Sequence, residues 1–129
     1  MKVARKNTLV FSQVGQSLAA SFTTQPTVIR YLDNCSYQIN VTTSNSTGTF
    51  VVQVSNDYQV NEGNFDVVTN PGTWNMLPIG GTPTVAAAND IITIDMNQLP
   101  FYAVRLAYTS TIAGTGTASI YLTDKQLGG

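Results

Sequence analysis

A chain of 129 residues has the length of one domain and can bury roughly two-thirds of its unfolded surface in a single core. Only 10% of its residues are charged and its net charge is −1, so it has no global basic field to draw nucleic acid or an anionic membrane surface. Histidine is absent, which removes the usual general base near neutral pH, the Ser-His and Cys-His nucleophilic pairs and the commonest zinc ligand.

Lys2, Arg5 and Lys6 are three of the six cations. Residues 1–7 therefore read as a basic N-terminal arm, ahead of a folded domain at 8–124 and a tail at 125–129. Such an arm is either a solvated terminus or a segment that docks on an acidic neighbour. No apolar run approaches the ~20 residues of a membrane-spanning helix. Residues 8–20, TLVFSQVGQSLAA, are too interrupted by polar residues for a signal peptide, so synthesis in the cytoplasm is expected.

Short runs of alternating apolar and polar residues, bounded by Gly, Pro, Asn or Ser, predict strands at 7–14, 27–32, 35–43, 48–55, 64–69, 90–96, 101–109 and 116–124. Abundant β-branched threonine and few exposed-helix formers favour the same class. In CSYQINV, Cys35 falls on the apolar side and reads as a small core residue, not a nucleophile. As the sole cysteine it has no internal partner, so packing must supply the stability. Tyr37, Ile39 and Val41 share one face of this strand, and Phe50, Val52 and Val54 share one face of the next. SNSTG, residues 44–48, predicts a turn that joins the two as a hairpin.

From Asp57 to Asn89 the chain carries Pro71-Gly72, Gly80-Gly81 and Pro83, which predict loops around short strands. Trp74 and Leu77 are candidates for a lid over one end of the core. Asp57, Glu62 and Asp66 crowd one predicted loop. A solvated acidic loop is favoured there over a glycosidase pair or a calcium site, and TPTVAAAND is too short and poorly capped for a helix.

Beyond Pro100, Tyr102, Val104, Leu106 and Tyr108 form one face of a strand, and Ala118, Ile120 and Leu122 form one face of the last. The Gly114–Gly116 stretch predicts a turn joining them as a second hairpin. Arg105, on the opposite face, reads as an edge arginine paired with a carboxylate such as Asp95, ligand binding being the other reading. GTG lacks the strand, glycine-rich loop and helix succession of a phosphate site. The expected fold class is all-β: one antiparallel β-sandwich.

Four stretches taken in order, ASFTTQPTVIRYLDNCSYQINVT, GTFVVQVSNDY, a tryptophan, and PFYAVRLAYTSTIAGTGTASIYLTDKQLGG, resemble small virion structural proteins of tailed bacteriophages. The resemblance runs from about residue 18 to the end. The order of these segments is also similar to that of discoidin-type jelly rolls, which implies a jelly-roll-like sandwich but carries over no sugar or lipid site. The phage resemblance implies a head decoration or cement protein on the outer capsid surface, made in the host cytoplasm. Its partners would be the major capsid protein or other virion proteins, with homo-oligomerisation through an exposed edge also open. Neither nucleic acid nor membrane is an expected partner, and no catalytic residue, cofactor or metal is assigned. Lys2, Arg5 and Lys6 are the first expected contacts and Lys125 the second. A tail, collar or baseplate component is the alternative, as is a glycan-binding module using Tyr58 and Trp74 as an aromatic platform.

Overall fold

The computed structural model describes residues 4–29, 34–43, 45–97 and 100–128, the side chains of 4–8, 97 and 125–128 excepted. Lys2 and part of the strand expected at 27–32 lie outside the described residues. Twelve strands are described and no helix. They are β1 (Ala4–Ser17), β2 (Phe22–Thr23), β3 (Thr27–Val28), β4 (Asn34–Thr42), β5 (Thr47–Ser55), β6 (Gln59–Asn61), β7 (Asn64–Asn70), β8 (Asn75–Leu77), β9 (Thr84–Ala86), β10 (Asp90–Asn97), β11 (Ala103–Ile112) and β12 (Thr117–Gly128).

One sheet has the order β1-β12-β4-β10. The other has the order β2-β11-β5-β8, with β3 also on β11 and β9 also on β5. All described pairings are antiparallel. If β2 with β3, and β8 with β9, each count as one interrupted strand, the two main sheets hold eight strands without β6 and β7, and successive strands mostly alternate between sheets. That is the topology of a jelly roll. The interruption between β2 and β3 has a local cause: Thr24 gives its N–H to the Leu106 carbonyl and accepts the Leu106 N–H on its hydroxyl. It thus holds β11 by a side chain where a strand would use backbone.

The alternation read from sequence places the core. Tyr37, Ile39 and Val41 of β4 and Ala118, Ile120 and Leu122 of β12 face Phe50, Val52 and Val54 of β5 and Val104, Leu106 and Tyr108 of β11, all buried. Phe22, Phe50 and Tyr108 form an aromatic cluster with ring centroids 4.8–6.3 Å apart. Cys35 is buried in the same core, where burial first and the Asp124 carboxylate second raise its thiol pKa to about 11.

Neither expected hairpin forms. β4 lies in one sheet with β10 and β12, whereas β5 lies in the other with β11. The 43–46 segment therefore crosses between sheets. The same holds for 113–116, since β11 and β12 also belong to different sheets. Alternation fixes which face of a strand is buried, but it does not say whether the next strand lies beside that face or across from it.

Four connections meet at this end of the sandwich: 18–21, 43–46, 87–89 and 113–116. Ser46 is their hub. Its hydroxyl donates to the Ala113 carbonyl (2.8 Å) and accepts the Gly116 N–H (2.9 Å), while its carbonyl accepts the Ala87 N–H (3.1 Å). Around it, Thr43 Oγ1 accepts the Ser46 N–H, Asn45 Oδ1 accepts the Thr115 N–H, Asn89 Oδ1 accepts the Thr43 N–H, and Gly116 O accepts the Leu18 N–H. Gly114 takes φ +57°, and a Cβ there would stand 2.5 Å from Ser46 Oγ. Glycine is required at this position on both counts.

Because Ser46 is fully buried, its removal strands the Gly116 N–H and the Ala113 carbonyl away from water. Ser46→Ala is expected to cost about 2–3 kcal/mol. Urea unfolding monitored by tryptophan fluorescence measures it, and a loss below ~0.5 kcal/mol, the level of an ordinary surface change, would contradict the role of the hub.

Candidate functional site

At the opposite end, β5 stops at Ser55 and the chain leaves both main sheets to form a separate two-stranded unit, β6–β7. Asp57 fixes its root. The carboxylate accepts the Thr73 N–H (2.6 Å) and the Ser55 hydroxyl (2.8 Å), and Ser55 Oγ in turn accepts the Tyr58 N–H (3.1 Å). Tyr58 and Val60 are buried beside Ala103. Beyond that root, every described side chain of β7 from Asn64 to Thr69 is exposed. Phe65, Val67 and Val68 are exposed by 48, 46 and 43%. The apolar pattern at 64–69 predicts a half-buried strand, but no sheet lies against it.

Trp74 packs beside this root on the outer face of β5 and β11. Its Nε1–H donates to the Pro71 carbonyl (2.9 Å), its ring centroid is 5.6 Å from that of Tyr58, and the Arg105 guanidinium lies 4.4 Å from the indole centroid. Arg105 Nε–H also donates to Gln53 Oε1 (2.7 Å), its cross-strand neighbour. The expected Asp95 partner stands on β10 in the other sheet. Arg105 belongs instead to a cation–π contact with Trp74, and burial lowers its pKa below the ordinary guanidinium value.

Tyr58 and Trp74, the residues of the expected glycan platform, lie side by side at this root. Tyr58 is buried, and burial raises its phenol pKa. A guanidinium occupies a face of Trp74 on which a pyranose would stack. The indole therefore ties the hairpin root to the sandwich, and it covers the outer face of one sheet instead of the open end of the core.

The expected boundary between arm and domain at residue 7 is not a break in the structure. β1 begins at Ala4 and pairs with β12 through Ala4↔Gly128, Arg5↔Leu127, Lys6↔Gln126 and Asn7↔Lys125. The arm and the tail are thus two strands of one ribbon. Among the described residues, β4 pairs with β12 as far as Asn34↔Lys125. Arg5, Lys6 and Lys125, three of the four cations singled out as contacts, occupy adjacent rungs. Nothing in the sequence near either terminus signals that the two are strand neighbours. β1 is irregular further along, with register shifts between Leu9 and Phe11 and between Gln13 and Gln16 and Gly15 at φ +70° in the second.

Two further surfaces are open. The outer face of the β1-β12-β4-β10 sheet presents Ser36, Gln38, Asn40, Thr93, Tyr121 and Thr123 around a shallow depression of about 420 Å³. A second depression, about 410 Å³, lies where the 79–83 segment runs alongside Thr93–Asp95 at the β10 edge. Among the described residues, no group of three or more His, Cys, Asp or Glu side chains is placed to hold a metal. No described helix is long and apolar enough to cross a membrane.

No protein-family model matches this chain, and no curated protein matches it in sequence. Among solved structures it is similar to the crystal structure of the SPBc2 prophage-derived protein YomS, with a TM-score of 0.45 and 8% identity over 96% of each chain. A likeness of that size assigns no role, and the jelly-roll topology rests on the strand order alone.

The backbone N–H of Thr73, then the Ser55 hydroxyl, hold the Asp57 carboxyl below its ordinary value of 3.8. Its folded pKa is lowered, so the stability it contributes is present above the unfolded value and lost as pH falls through the folded one. Asp57→Asn should therefore flatten the loss of stability between about pH 5 and pH 2. Urea midpoints across that range test this; identical pH slopes in the two proteins would refute the assignment.

Proposed function

We propose that this chain is a non-enzymatic structural protein of a tailed-bacteriophage virion. In this reading it is a head decoration protein that sits on the outer capsid surface and bridges subunits of the major capsid protein. The sequence resemblance motivates the reading. The observation that supports it most is the polarity of the molecule: one end is locked by buried hydrogen bonds around Ser46, while the other carries the β6–β7 hairpin, outside both main sheets, and the paired ends of β1 and β12.

Such a body suits a protein whose work is to hold others in place. The rigid sandwich fixes the spacing of these elements, and exposed Phe65, Val67 and Val68 supply apolar area for contact. The hydroxyl and amide side chains of the outer sheet face form hydrogen bonds across an interface with no charge to desolvate. Repeated over a symmetric lattice, contacts of modest individual strength sum to a large effect on the particle.

The ribbon geometry changes how the basic contact is tested. Deleting residues 1–7 would remove strand pairing as well as charge, so Arg5→Glu with Lys6→Glu is the appropriate variant. The primary test is the copy number of this chain relative to the major capsid protein in purified particles, by quantitative mass spectrometry. A simple fraction of the lattice number, with particle binding weakened by the charge variant, is the expected result. A handful of copies would overturn decoration in favour of a tail, collar or baseplate position.

A further inference from the structure

We propose that copies of this chain associate side by side, the β6–β7 hairpin of one copy docking on the β1–β12 ribbon of the next. The inference does not depend on where in a particle the protein sits.

The hairpin is short of partners for its apolar residues. It forms a sheet of its own, a two-stranded unit of a kind that is marginal in water unless something packs on it. Phe65, Val67 and Val68 lie exposed within four residues of one another. Residues 57–70 contain Asp57, Glu62 and Asp66 and no Lys or Arg, three carboxylates against no cation. The surface is apolar and acidic.

The ribbon has the opposite sign. Arg5, Lys6 and Lys125 fall on three successive rungs, and exposed Leu9, Val10 and Val14 follow along β1. Among the described residues, β1 pairs only with β12 and is otherwise an edge, but its two register shifts oppose simple extension of the sheet by another strand. Side-chain contact with an apolar, acidic element suits it better.

Topology sets how the two could meet. The hairpin follows the end of β5, and the ribbon continues the end of β12 that lies beside the start of β4. Since 43–46 and 113–116 close the far end, the hairpin and the paired ends of β1 and β12 lie at the same end. The hairpin follows a strand of one main sheet, the ribbon belongs to the other, and no described strand pairing joins them. Two copies standing with parallel long axes therefore bring the hairpin of one beside the ribbon of the other. The contact is heterologous, so its repetition gives a closed ring or an open filament according to the rotation between copies. Complementary charge and matching apolar exposure on one chain make a second copy the occupant these surfaces fit.

The test is the solution mass of the purified full chain by analytical ultracentrifugation, over a range of protein and salt concentrations. The expected result is a concentration-dependent multiple of 13.8 kDa that falls toward the monomer as salt rises. Asp66→Lys and Lys6→Glu should each weaken association by about tenfold or more, and the double variant should recover part of the loss. Phe65→Ser should also weaken it while leaving the thermal transition cooperative, and Phe65→Leu should retain it if loss of apolar contact is the cause. A monomer at every concentration, or association insensitive to both Asp66→Lys and Phe65→Ser, would overturn the proposal. Either outcome leaves the decoration reading to be decided by copy number.

Discussion

The buried hydroxyl of Ser46 joins the two connections on which the jelly roll depends. By donating to Ala113 and accepting from Gly116 it holds the β4–β5 crossing against the β11–β12 crossing, so the pairs of strands leading into both sheets are fixed relative to each other. Its carbonyl adds the 87–89 connection through Ala87, and Gly116 adds 18–21 through Leu18. A hydroxyl is the smallest side chain that both donates and accepts, and two crossing backbones leave little room for a larger one. The same closeness requires the bare Cα of Gly114 beside it.

With that end locked, the other end is free to vary. The chain there departs from the eight-stranded plan to build a hairpin after β5 and a ribbon from the two ends of the described chain. The hairpin touches the sandwich through its root, where Tyr58 and Val60 pack with Ala103. Trp74 and Arg105 transmit the rigidity of the β11-β5 sheet to that root through the cation–π contact and the bond to Gln53. The fold separates two tasks in space: buried polar closure at one pole, and apolar and charged presentation at the other. That division is the basis for reading the molecule as a connector between larger bodies.

The burial pattern was legible residue by residue, because alternation is a local property. Tyr37, Ile39, Val41, Phe50, Val52 and Val54 point inward as their spacing implies. Strand partnership was not legible. SNSTG and AGTGT carry the residues of hairpin turns, yet Ser46 and Asn45 use those same polar groups to bond between connections. A sequence does not show that the bonding partner lies 70 residues away. An indole in a loop, as at Trp74, suits a lid and a sugar platform equally; its companion Arg105 lies in another strand, and only folding brings the two together. The exposed apolar residues of β7 were hidden for the opposite reason, since the pattern of NFDVVTN is that of a half-buried strand whether or not a sheet covers it.

Amide hydrogen exchange of the isolated protein, resolved by residue, tests the two-pole account most directly. The account predicts that the amides of Ser46, Ala87, Gly116 and Leu18 exchange only with global unfolding, although they lie in connections, while those of residues 61–68 exchange through local opening far below the global stability. Rapid exchange at Ser46 and Gly116 alongside slow exchange in the β4 and β11 strands would show that the crossings fray independently of the core. That result would contradict the claim that they hold it together.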